Sequence, residues 1–262
     1  AGGHWFDSSA AHSDGAKTCS GCVLLFHRLK VTSEPQTAWI RKWIKIGAWI
    51  MDFFDVVHSQ RSIRQYKSDP VPDELIWQII EAATRAPSGS NLQPWIWWVI
   101  KDDRMRQIIA KAVSARMASP EAKERRLRDV ETTTDISRKT MMAKATKFVE
   151  DIAVAPVFII PCLIGVTSPV SDPRSLLAGS SIYGAVQNLM LAARALGLGT
   201  VLTTFNSFME ATLYEELKLP SDVVPTSIIP VGYPDGQKFG PTTRKPVETV
   251  TYWDEWGTVL PR

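Results

Sequence analysis

The amino-acid sequence predicts a single domain of α+β or α/β class over residues 51–262, preceded by an extension over residues 1–50. Three observations carry that prediction. Segments with apolar residues at helical spacing alternate along the chain with strand-length runs of aromatic and β-branched residues. Of the 262 residues 45% are apolar and 22% are charged, the balance of a globular chain. No internal repeat or low-complexity tract divides the region.

Each element has its own local cause. Asp52 stands as an N-cap before Phe53, Phe54, Val56 and Val57, which are expected to form the apolar face of a first helix. Asp73–Arg85 is amphipathic, with Leu75, Ile76, Ile79, Ile80 and Ala83 on one side. Pro94–Ile100, aromatic and β-branched, reads as a strand. A helix is expected over Asp103–Arg116, and the stretch from Ser114 to Glu150 is polar, charged and methionine-bearing. Ala155–Gly165 is an apolar run expected to be a buried strand. Gly179–Leu196 reads as a long helix rich in small residues. Gly197-Leu198-Gly199 stops it, with one of the two glycines left-handed. Short strands over 200–204 and 227–231 flank a helix expected over 209–217.

Residues 1–50 read differently. They hold His4, His12, His27, Cys19 and Cys22, with six basic against three acidic residues. The whole formal charge of +3 therefore lies there, and the body is neutral. A neutral body lacks the clustered basic footprint of a nucleic-acid-binding domain. Ala38–Ile50 spaces Trp39, Trp43, Ile46, Trp49 and Ile50 at helical intervals between Arg41, Lys42 and Lys45. The favoured reading is a short helix packing its tryptophans on the body or a partner; the alternative is an interfacial membrane helix. Val23–Phe26 is too brief for a signal-peptide core. Three cysteines make no disulfide framework, which points to a reducing, cytoplasmic compartment. Cys19-Ser20-Gly21-Cys22 lacks the second half of a zinc site, so no metal is expected.

Several chemistries lack their motifs. There is no phosphate-binding Walker loop, no His-Glu-x-x-His helix and no Gly-x-Ser-x-Gly elbow. His58 is the one histidine of the body, and Gly197-Leu198-Gly199 follows a helix instead of opening one, unlike a dinucleotide fingerprint. Three polar patches remain. Arg61-Ser62-Ile63-Arg64 places two guanidinium groups and a hydroxyl within four residues, suited to gripping phosphate oxygens. Ala86–Trp95 gathers backbone N–H groups, Ser88, Asn91 and Gln93 just before a strand, which suits the rim of a heteroaromatic ring. Arg244-Lys245-Pro246 offers a further phosphate contact.

The run SIRQYKSDPVPDELIWQIIEAATRAPSGSNLQPW resembles the opening of the FMN-dependent nitroreductase family, and ALGLGT, PVGYP and a late RKP follow in the same order. The resemblance covers residues 51–256. It implies a nitroreductase-like α+β fold with a mostly antiparallel central sheet flanked by helices. It also implies a homodimer, with two FMN sites at the interface and a C-terminal tail reaching the partner. By that resemblance Arg61, Ser62 and Arg244 hold the FMN phosphate and Arg64 lies near the flavin pyrimidine. Pro87, Ser88 and Asn91 meet the ring from one subunit. Leu202, Thr203 and Thr204 pass near N5 from the other. Gln60 and Thr242 stand where the family often has basic residues. The implied chemistry is ping-pong transfer from NADH or NADPH to a small aromatic acceptor such as a nitroaromatic or quinone, with no obligatory side-chain acid or base. The 114–150 segment is expected to act as a substrate lid.

Two rival readings stand beside it. Iodotyrosine deiodinases share PVGYP and a threonine run like Thr203-Thr204, which favours one-electron steps and reductive dehalogenation. That branch clamps its substrate with a Glu, a Tyr and a Lys from the lid, and 114–150 contains no tyrosine. The other rival is a flavin-binding protein without nicotinamide-driven turnover.

Overall fold

Strand β2 (Val157–Ile164) organises the molecule, because successive side chains of a strand point to opposite faces. Phe158, Ile160 and Cys162 enter one apolar core, and Val157, Ile159 and Leu163 enter a second on the other face. The computed structural model describes residues 51–164 and 175–260, which fall within one compact unit. The sequence features of residues 1–50, including Cys19, Cys22 and the Trp39–Ile50 segment, lie outside the described residues.

The described elements run α1 (Phe53–Ser59), α2 (Asp73–Ala83), β1 (Trp95–Ile100), α3 (Asp103–Met117), α4 (Pro120–Thr132), α5 (Ile136–Glu150), β2, α6 (Ser175–Ala195), β3 (Gly199–Thr200), β4 (Val223–Pro225) and β5 (Ile229–Gly232). The strands form one sheet in the order β1-β2-β5-β3, with β4 also paired to β2, and every ladder is antiparallel. Helices α2 and α6 cover one face through Ile76, Ile79, Ile182 and Leu189. Helices α3 and α5 cover the other through Ile109, Val113, Phe148 and Val149. The result is an α+β architecture with helices on both sides of an antiparallel sheet.

Local capping chemistry behaves as its residue types dictate. The Asp52 carboxylate accepts from the Phe54 N–H at 2.8 Å, and Asp102 and Ser119 cap α3 and α4 in the same manner. Gly197 carries the left-handed stop (φ +77°) that ends α6. Gly199 has a different task. A Cβ there would lie 2.6 Å from Ile63 Cγ2, so the residue is small because a neighbouring segment crosses directly over it.

Several expectations are corrected. Phe53 and Phe54 do not face the core: they are 65% and 66% exposed, and Val56 alone is buried, because only one face of α1 meets the rest of the chain. The expected strand over 200–204 is a two-residue ladder followed by a single bridge at Thr203, and the expected helix over 209–217 is one π-helical turn, Ala211–Glu216. Strand β4 carried no clear sequence signal. It is separate from β5 because Pro161, mid-β2, has no N–H to offer that edge. There the Thr226 N–H and hydroxyl both donate to the Pro161 carbonyl, at 2.9 and 2.8 Å. No helix among the described residues is long and apolar enough to cross a membrane.

Candidate functional site

The first polar patch, Arg61–Arg64, leaves α1 in extended form and crosses β3. Ser62 bridges Thr200 in parallel sense, and the Ile63 N–H donates to the Thr200 carbonyl at 2.9 Å. Ile63 fills the space above Gly199 and is fully buried. Tyr66, also buried, donates through its hydroxyl to the Ile63 carbonyl. Burial pushes that phenol well above its ordinary range, with the Arg64 charge pulling the other way.

A residue that the sequence did not single out fixes this segment from the other side. Gln237 Oε1 accepts from the Arg64 N–H, and Gln237 Nε2 donates to the Ser62 carbonyl, each at 2.9 Å. One side-chain amide thus satisfies a donor and an acceptor flanking Ile63. No spacing rule points to Gln237, because its partners lie more than 170 residues earlier.

Beneath this clamp lies a cavity of about 310 Å³. Its described lining includes Arg61, Arg64, Lys144, Lys147 and Lys238, together with Gln65 and Gln237, and no carboxylate. Lys144 and Lys147 come from α5, within the segment expected to be a lid. Such a lining suits a phosphate, since guanidinium and ammonium groups form charge-assisted hydrogen bonds to its oxygens.

Strand β3 leads directly into Leu202–Thr204. Thr203 is buried, and its hydroxyl is committed to the Ile228 carbonyl at 2.7 Å. Thr204 is exposed, so of the two threonines it is the one whose side chain faces outward. Phe205, the next residue, stacks on Phe148 of α5 with ring centroids 6.3 Å apart. The Ser62–Thr200 bridge and this ring pair place the first patch, Leu202–Thr204 and α5 together.

The second patch is a tight turn. Ser90, Asn91 and Gln93 have φ of 49°, 54° and 50°, a left-handed conformation costly for Ser and Gln in particular. Ser88 Oγ accepts from the Gln93 N–H at 3.0 Å, and Ser181 Oγ of α6 accepts from the Gly89 N–H at 3.1 Å. Pro87 and Asn91 are exposed and Ser88 half-buried, and none of them is among the described residues lining the basic cavity. Arg244 is likewise exposed and donates to the Thr243 carbonyl, outside the cavity lining.

The remaining sequence candidates have structural surroundings. His58 is exposed on α1, edge-on to Phe54. Cys162 is buried in the core, where desolvation raises its thiol to about 12.

Comparisons with known proteins agree with the architecture. Residues 57–233 match the family model described as the nitroreductase family. The nitrobenzene nitroreductase of Ectopseudomonas oleovorans is 30% identical over 207 residues, covering 69% of this chain and 86% of that protein. The iodotyrosine deiodinase of Thermotoga neapolitana is 28% identical over 187 residues, covering 71% and 90%. A solved variant of an FMN and NADPH-dependent nitroreductase from Sphigopyxis sp. strain HMH superimposes with a TM-score of 0.59 at 22% identity, over 79% of this chain and all of that one; it is a likeness of fold. With the family model spanning α1 to the end of β5, and the antiparallel sheet between helices beneath it, the chain belongs to the nitroreductase family of oxidoreductases.

Proposed function

We propose that the protein is an FMN-dependent oxidoreductase that works as a homodimer. NADH or NADPH reduces it, and it passes electrons to small aromatic acceptors such as nitroaromatics or quinones. The observation that carries this reading is the carboxylate-free basic cavity, joined through the Ser62–Thr200 bridge to the Leu202–Thr204 run. The donor set fits a phosphorylated flavin, with cations for a dianionic tail beside a segment bearing backbone and hydroxyl donors for a ring.

In this reading Arg61 holds the phosphate from within the cavity, Ser62 and Arg244 reach it from outside the described lining, and Arg64 supplies positive charge near the pyrimidine edge. Pro87, Ser88 and Asn91 of one subunit and Leu202, Thr203 and Thr204 of the other line the ring. Thr204, with its outward side chain, is the residue for a hydrogen bond at N5, because the Thr203 hydroxyl is already spent on Ile228. FMN held by these residues would supply the two-electron chemistry. The chain's own residues position the partners and exclude water. Exposed Phe53 and Phe54 on α1, and Trp253 and Trp256 in the tail, favour a second copy as their cover.

The test is an absorbance spectrum of the pure protein supplied with FMN, then anaerobic titration with each nicotinamide. The expected result is a flavin band in a dimeric species, bleached by NADH or NADPH and restored by a nitroaromatic. A colourless protein eluting as one subunit overturns the reading. The second reading, reductive dehalogenation, is favoured by the deiodinase relative and by outward-facing Thr204. Iodotyrosine turnover exceeding nitroaromatic turnover would select it.

A further inference from the structure

We infer that Lys144 and Lys147 of α5 bind the phosphate of the cofactor, so that the lid segment is itself part of the cofactor site; this rests on the FMN reading above. The chemistry recognised is a phosphomonoester dianion.

Residues three apart on a helix share a face, and here that shared face meets the cavity that Arg61 and Arg64 line. With Lys238 the lining brings five cations together and no described carboxylate. Like charges gathered in one cavity repel one another, and a dianion in their midst relieves that repulsion. The intramolecular alternatives are thin. Among the described residues, Arg61, Arg64, Lys144 and Lys238 have no ion pair. Lys147 has one, with Asp151 at 3.3 Å and both side chains largely exposed, an arrangement of small energetic weight.

The helix is also fixed in place. Phe148 and Val149, next to Lys147, are buried in the core beneath the sheet, and Phe148 stacks on Phe205, which follows Thr204. The two ammonium groups therefore start from a backbone anchored to the same strand exit that carries Leu202–Thr204. A lid tied to the cofactor's tail at one end leaves its other part, α4, to meet substrate. The 2′-phosphate of NADPH has the same chemistry as the FMN phosphate. FMN is favoured because Arg61 and Arg64 share the cavity and are pinned to β3.

Titrating the whole 262-residue chain, stripped of flavin, with FMN and separately with riboflavin tests the inference by quenching of flavin fluorescence. Lys144→Gln and Lys147→Gln are each expected to raise the FMN dissociation constant by about tenfold, and the pair by more, as for loss of a charge-assisted hydrogen bond. Riboflavin affinity is expected to stay constant, and the salt dependence of FMN binding to weaken. Lys144→Arg is expected to retain FMN affinity, and unchanged melting of the flavin-free variants confirms that they fold. Variants that bind FMN as tightly as the parent overturn the inference while leaving the FMN reading intact. A selective loss of activity with NADPH, not NADH, with FMN binding unchanged, overturns it in favour of the dinucleotide. A parent that binds neither flavin fails the underlying reading and takes this inference with it.

Discussion

Two stretches at opposite ends of the described chain are held in opposite ways. Residues 59–67 are tied to residues 233–240 by main-chain hydrogen bonds around a single bridge, Tyr66 to Pro234. The Ser59 carbonyl accepts from Gly240, Gln65 from Asp235, and the Lys67 N–H donates to Tyr233, with the Gln237 amide clamped between them. Residues 247–260 make short-range bonds, in which the Trp253 N–H donates to the Thr258 carbonyl and the Thr258 N–H to the Glu255 carbonyl. Their aromatic rings meet each other, as Tyr252 and Trp256 do at 4.8 Å, while Trp256 stays 92% exposed. The first stretch is completed by its own chain. The second presents exposed apolar side chains, Trp253, Trp256, Val259 and Leu260. Geometry finished within a single chain is where mutations should cost stability; uncovered apolar surface is where they should cost association.

The sharpest way to break the first half of that contrast is Gly199→Val. Its Cβ would enter the van der Waals shell of buried Ile63, and such overpacking costs about 3 kcal/mol. A calorimetric Tm lower by roughly 6–12 °C is expected for a domain of this size. An unchanged Tm would mean the crossing over β3 is slack. The second half is tested by Trp253→Ala combined with Trp256→Ala. Large aromatic anchors at interfaces are worth about 2 kcal/mol each, so the dimer dissociation constant read by sedimentation should rise roughly 700-fold. A dimer indifferent to the change would remove the tail from the interface.

Gln237→Ala sharpens the comparison within the first stretch itself. Two hydrogen bonds are lost at about 1 kcal/mol each, and the Arg61–Arg64 segment is freed. FMN affinity, read by fluorescence, should fall by roughly tenfold for each 1.4 kcal/mol lost, with a smaller loss of melting temperature than Gly199→Val gives. Cys162, in the core that also holds Ile63 and Tyr66, provides the smallest effect. Burial raises its thiol to about 12, so the folded protein keeps a proton that the unfolded chain releases at lower pH. That contribution to stability is complete below the ordinary thiol range and is lost as pH rises toward 12. Alkylation by iodoacetamide should be negligible in the folded state and prompt once the chain is unfolded.

Much of the fold was legible because its causes are local. Asp52 and Asp102 cap the helices that follow them, the apolar stripe of α2 is buried as its spacing requires, and Gly197 stops α6. Strand β4 was not legible, since its separation from β5 depends on Pro161 in another strand. Phe53 and Phe54 misled because hydrophobicity alone does not say which surface will cover a side chain. For the site, the sequence singled out Arg61, Ser62 and Arg64, a segment that runs beside β3. Lys144, Lys147, Lys238 and Gln237 were invisible beforehand, because they reach the cavity only through tertiary contact and obey no short spacing.

The clamp between Gln237 and the Ser62–Arg64 backbone has a bearing on synthesis. A chain still emerging from the ribosome and ending at β5 already possesses every strand of the sheet, yet it lacks the amide that locks the crossing over β3. The basic hollow is thus among the last features to take shape, closed by residues almost as far apart along the polypeptide as the described region allows. Acquisition of colour would then report that biosynthesis has run past residue 240, and a nicked or prematurely ended product would betray itself by staying pale.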